Sequence, residues 1–127
     1  MTEVQLAYVA GLFDGEGHCR IVTAKASKNG QRYYRAQASI SNTDRRCLDY
    51  VKECLGFGWV GINDRASTHK VRPRKKDCFK WAVTNRKCLE FLRLIRPYVK
   101  VKCEQIDSVL NGRHNGRVSD SAVEQPG

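Results

Sequence analysis

The sequence predicts an α+β domain in the order helix, strand, strand, helix, strand, strand, helix (αββαββα), with its four strands in one curved antiparallel sheet and the helices on one side. Three observations predict it. A mostly apolar run fills residues 4–13, two long alternating segments meet at Asn29-Gly30, and the helix-plus-hairpin unit then repeats once. At 127 residues the chain is long enough for one modest core. Residues 1–112 form this domain, and the polar, aperiodic stretch 113–127 is expected to be a mobile tail.

The first helix starts at a capping box, Thr2 with Gln5 three positions on. Being apolar on every side, it must be covered on more than one face. Ala7, Ala10 and Gly11 are small and helically spaced, so a second helix could approach at backbone level. Asp14-Gly15-Glu16-Gly17 ends it, with Gly15 or Gly17 giving the backbone freedom for a stop. Two carboxylates at the negative end of a helix dipole cost a few tenths to about 1 kcal/mol unless a cation offsets them. Acids placed there invite a metal.

Residues 18–28 and 31–41 read as strands joined by a tight type I′ turn at Asn29-Gly30. Cys19, Ile21 and Thr23 share one face of the first strand, and His18, Arg20, Val22 and Ala24 the other; in the second, Tyr34, Ala36, Ala38 and Ile40 oppose Tyr33, Arg35, Gln37, Ser39 and Ser41. Asn42-Thr43-Asp44 offers caps for a helix with a stripe of Cys47, Leu48, Val51, Cys54 and Leu55, closed by Gly56-Phe57-Gly58. A strand at 59–63, a basic loop at 64–77 and a strand at 78–84 follow, the last burying Phe79, Trp81 and Val83 and exposing Lys80. A third helix starts near Asn85 and stops before Pro97; a short final helix carries Cys103, Ile106, Val109 and Leu110 to Gly112.

The formal net charge of +10 predicts attraction to a polyanion, either nucleic acid or an acidic membrane face. No apolar stretch reaches 18 residues and no secretion signal is recognisable, so an intracellular protein without a membrane partner is expected. The six cysteines are scattered, form no CxxC pair and read as small buried hydrophobes in a reducing compartment.

Val9-Ala10-Gly11-Leu12-Phe13-Asp14-Gly15-Glu16-Gly17 resembles the nine-residue motif of the LAGLIDADG homing endonucleases. The predicted element order is similar to that family's fold up to about residue 112. The resemblance implies a site-specific double-strand DNA endonuclease, encoded within introns as a mobile element, that uses Mg²⁺ and leaves short 3′ overhangs. Glu16 falls on the motif's eighth position, the acid that binds the divalent ion in this family, with Gly15 beside it in the metal site; the family usually has Asp there. Lys102, within Arg96-Pro97-Tyr98-Val99-Lys100-Val101-Lys102, matches the basic residue beside the attacking water. Asn42 matches a position that orders the water network, and Arg45 or Arg46 adds positive charge near the scissile phosphate.

A single motif implies a homodimer in which two first helices pack about a two-fold axis through Ala7, Ala10, Gly11 and Asp14, bringing two Glu16 carboxylates together. The double-stranded DNA target is then long and near-palindromic. Strand parity and base-edge chemistry nominate His18, Arg20, Val22, Tyr33, Arg35, Gln37, Ser39, Ser41 and Lys80 for the sheet face on DNA, with Arg65, Lys75 and Lys76 clamping phosphates. The family's hosts imply a chloroplast or mitochondrion, or a bacterial or archaeal cytoplasm. The alternative is a non-cleaving binder on the same fold: a DNA-binding protein, or a maturase gripping intron RNA.

Overall fold

The structure, a computed structural model, describes residues 1–25, 30, 32–64, 76–114 and 117–118. Its elements are α1 (Glu3–Glu16), β1 (Gly17–Lys25), β2 (Arg32–Asn42), α2 (Arg45–Leu55), β3 (Trp59–Asp64), β4 (Cys78–Thr84), α3 (Asn85–Ile95), α4 (Cys103–Leu110), β5 (Arg113–His114) and β6 (Arg117–Val118). The first four strands make one antiparallel sheet in the order β1-β2-β4-β3, and β5 pairs with β6. The fold is therefore α+β with the predicted order. β5 and β6 fall in the stretch set apart above as a tail; residues 119–127 lie outside the described part. Among the described residues no helix is long and apolar enough to cross a membrane.

The capping box forms at the start of α1: Thr2 Oγ1 accepts the Gln5 N–H at 3.1 Å and Gln5 Oε1 accepts the Thr2 N–H at 2.9 Å. The helix then continues through Asp14 and Gly15 to Glu16. Its stop differs from the expected one, because Gly17 is extended at φ −92° and uses no left-handed freedom. What the position requires is space, since a Cβ on Gly17 would overlap the Phe13 ring. Within the single chain α1 is covered on one side only: Val9, Ala10 and Phe13 are fully buried, whereas Val4 is 80% exposed and Tyr8 45%.

The β1/β2 ladder runs from Gly17 opposite Ile40 to Lys25 opposite Arg32. A two-residue turn at Asn29-Gly30 would set Lys25 against Tyr34, so the observed register departs from that expectation by two residues; Gly30 has φ +70°, and residues 26–29 and 31 lie outside the described part. An even slip leaves each side chain on its predicted face.

Cys19, Ile21, Ala38, Ile40, Trp81 and Val83 turn to the helices and meet Phe13, Leu48, Val51, Phe91, Leu92, Ile95 and Ile106 in one core. At its centre Phe91 lies edge-on to Phe13 at 5.6 Å and to Trp81 at 4.8 Å, and Trp81 Nε1 donates to the Phe57 carbonyl at 3.1 Å. Phe79, expected inside, is only partly buried. Asp44 caps α2 by accepting the Arg46 N–H at 3.0 Å, and Gly56 closes it in the left-handed region at φ +80°. All six cysteines are free. Burial pushes the Cys19 and Cys88 thiols up to about 12, which keeps them protonated and apolar.

Candidate nucleic-acid interface and catalytic cluster

The end of α1 is built into the fold by a segment more than 80 residues away. Asp14 accepts the backbone N–H of Lys100 at 2.6 Å, of Val101 at 3.2 Å and of Lys102 at 3.1 Å. Partial burial opposes ionisation there, but the N–H groups of Lys100, Lys102 and Val101, with the Lys102 charge, hold the Asp14 carboxyl below its ordinary range. The clamped segment is also fixed by its flanks: Arg96 at the end of α3 donates to Asp107 of α4 from Nε at 2.7 Å and a terminal nitrogen at 2.9 Å. Gln105 Oε1 accepts the Cys19 N–H at 2.9 Å and ties α4 to β1.

Lys102 is thereby delivered to the end of the motif helix. Its ammonium donates to the Gly17 carbonyl and stands 5.8 Å from the centre of the Phe13 ring. Glu16, immediately before Gly17, is exposed. Its charge also reaches the start of α2, where it contributes, after burial and Asp44, to raising the Cys47 thiol. Gly17, which opens β1, pairs with Ile40, so Asn42 lies two residues beyond that pair at the end of β2. The Asn42 Oδ1 accepts the Asp44 N–H at 2.8 Å, so the amide NH₂ is the end left for other work. Of the two arginines, Arg46 is held by both Asp44 oxygens at 3.0 and 2.8 Å, an arrangement that brings Asp44 down to about 2. Arg45 has one bond to Asp49 at 3.3 Å and lies 5.8 Å over Phe79, which leaves it the freer cation.

Of the residues nominated for a dimer contact, Ala10 sits elsewhere: it has 0% exposure and packs into the chain's own core. Asp14 is partly exposed at the end of α1, with its carboxylate bonded to the 100–102 backbone. Ala7 and Gly11 do face outward, with Val4 and Gly15 also exposed along α1.

The sheet surface away from the helices carries His18, Arg20 and Val22 from β1, Tyr33, Arg35, Gln37, Ser39 and Ser41 from β2, and Lys80 from β4. No carboxylate occurs among the described side chains of this surface. Burial, then Arg20 and Lys102, lowers the His18 pKa, so the imidazole is neutral near pH 7. Arg35 Nε is buried and, among the described residues, is the buried side-chain polar atom left without a bond. A hollow of about 170 Å³ opens between His18, Gln37, Ser39, Lys80, Ala82 and Thr84. Arg65 and Lys75 lie outside the described residues; Lys76 is exposed at the loop's return.

The register adds residues that parity within single strands did not reach. Ser39 faces Ala82, which faces Trp59, and Lys80 faces Gly61, so Trp59 and Gly61 of β3 belong to the same surface. The parity of Lys80 pointed to Ala82 and Thr84, whereas Trp59 needed the β3/β4 register.

No protein-family profile and no curated protein matches the sequence. Solved structures do match. The homing endonuclease I-CvuI, in complex with the I-CreI target in 2 mM Mg with the DNA not cleaved, superposes with a TM-score of 0.67 at 20% identity over 85% of this chain. The archaeal intron-encoded homing endonuclease I-Vdi141I, complexed with DNA, gives 0.62 at 20% identity over 82%. The LAGLIDADG meganuclease I-CpaMI, bound to uncleaved DNA, gives 0.58 at 21% identity over 83%. This chain spans 64%, 63% and 34% of those three chains, under two thirds of each. The likeness first carried by residues 9–17 extends through the architecture, and the chain has the fold of the LAGLIDADG homing endonucleases.

Proposed function

We propose that this protein is a Mg²⁺-dependent DNA endonuclease that works as a two-fold homodimer and makes a double-strand break, with short 3′ overhangs, at a long near-palindromic site. One observation carries the reading: the Asp14 clamp brings the Lys102 ammonium to the Gly17 carbonyl at the end of α1, one residue along the chain from the exposed Glu16. A protein that only grips nucleic acid has no need of an acid directed at phosphates.

The donor set suits a hard cation only when two copies combine. Among the described residues no three His, Cys, Asp or Glu side chains gather to hold a metal. One exposed Glu16 from each copy, with the Gly15 carbonyl and phosphate oxygens, gives the oxygen donors that Mg²⁺ prefers. The outward Val4, Ala7 and Gly11 supply the small, apolar contact that would bring two α1 helices together. Bound there, the ion would polarise the phosphoryl oxygen and lower the pKa of water. Lys102 would place positive charge where the transition state gains negative charge, Asn42 would offer its NH₂ to orient water, and Arg45 would add positive charge near the scissile phosphate.

A library of plasmids carrying random inserts, incubated with and without Mg²⁺, tests the reading. Linearisation at one site only with Mg²⁺, lost in Glu16→Gln while binding and dimer mass persist, is the expected result. Selective binding without cutting would instead establish the non-cleaving binder, and cutting by Glu16→Gln would remove that residue from the chemistry.

A further inference from the structure

The outer edge of the sheet surface differs in chemistry from its polar centre. One row across the strands runs His18, Ser39, Ala82, Trp59, and the next runs Ser41, Lys80, Gly61. Trp59 is 56% exposed. Its ring lies down on Gly61, close enough that a Cβ there would overlap the six-membered part of the indole. Gly61 thus acts as a bed that lays the ring along the strand, and Ala82 continues the apolar strip into the hollow. Lys80 and His18 flank the strip, and no described side chain of the surface is an acid. The surroundings therefore favour a polyanion while the strip itself offers only apolar contact.

We propose that Trp59 and Ala82, with Gly61 positioning the indole, form a subsite that reads the 5-methyl group of thymine in the major groove. In a stacked duplex the base faces are covered and only edges are presented; the apolar feature among those edges is the thymine methyl. Flanking Ser39 and Lys80 supply hydrogen bonds to the neighbouring base edge or phosphate, so the strip adds selectivity and the flanks add attraction. The proposal rests on the DNA-reading role of the sheet argued above.

The test uses the duplex selected by the wild-type protein, with each thymine replaced singly by deoxyuridine, which lacks only the methyl. Binding should weaken roughly fourfold, the worth of one buried methyl group, at one or two positions in each half-site. Trp59→Ala should abolish that sensitivity at those positions, and Gly61→Ala, which displaces the ring without removing it, should do the same; thermal melting of both variants shows that the fold persists. Selective binding that ignores every thymine methyl, or methyl sensitivity unchanged in both variants, overturns the subsite alone. Absence of any selective duplex binding overturns the DNA reading and the subsite with it.

Discussion

Asp14 Oδ1 accepts the backbone N–H of Lys102 at 3.1 Å, across 88 residues of sequence, while the ammonium of that lysine turns to the carbonyl of Gly17. One motif acid thus fixes the position of the lysine proposed to act beside the other. Asp14→Ala would leave three N–H groups without their acceptor and should cost roughly 1–3 kcal/mol. Cleavage should fall further than stability, because Lys102 loses its register. The loss should also depend on pH. Asp14 titrates below its ordinary 3.8 in the fold, so its contribution is complete above that value and disappears as pH falls through the lower folded value. Urea denaturation at about pH 7 should separate wild type from variant, and the gap should narrow as the pH falls below 3.8 and through the lower folded value.

Lys102→Met should retain duplex binding and lose about a hundredfold or more in cleavage, the scale set by removing one preorganised stabilising group. A second readout is independent of catalysis. Burial, Arg20 and Lys102 together depress the His18 imidazole, so the variant should raise the His18 pKa in an NMR titration. An unchanged histidine would mean that the ammonium does not stand where the structure puts it.

Gly17→Ala should destabilise the chain by about 1–3 kcal/mol, because the added methyl overlaps the Phe13 ring inside the core. The extended φ of Gly17 is open to alanine, so the cost is one of volume. A lowered melting temperature, partly restored by Phe13→Leu in the same chain, is the expected pattern.

Arg35→Ala and Lys76→Ala should fail differently. Arg35 stands on the sheet with a buried, unbonded Nε, and its loss should relax preference at one base pair at a cost of about 1–3 kcal/mol. Lys76 is exposed on the loop return, and its loss should weaken all sequences alike and reduce the salt slope by about one phosphate contact. Binding isotherms on selected and scrambled duplexes at several salt concentrations separate the two outcomes.

Local rules made much of this readable. Thr2 and Gln5 announce the start of α1, and alternation assigned Arg20, Gln37 and Ser39 to one face before any register was known. What failed to show depended on distant partners. The duty of Asp14 is to backbone N–H groups, which every residue but proline carries, so nothing in residues 100–102 advertises them as its partners. Ala10 was placed outside because a helix apolar all round carries no sign of which side turns inward; packing against the sheet decides it. Trp59 went unassigned because the β3/β4 register is set by pairing across a loop whose sequence lacks a turn signature.

The pleat of β2 sends Ala38 and Ile40 into the core and Gln37, Ser39 and Ser41 out to the opposite surface, so two vocabularies alternate along a single thread. Changing a letter of one leaves the other almost undisturbed. On the proposed DNA-reading role of this surface, a lineage carrying the scaffold would drift from one binding site to another by swapping outward residues singly, without passing through an unfolded ancestor. The places where that freedom narrows are the few outward positions that also lean on the framework, Arg35 with its enclosed nitrogen and Gly61 beneath its indole, and retargeting by hand should leave those two until last.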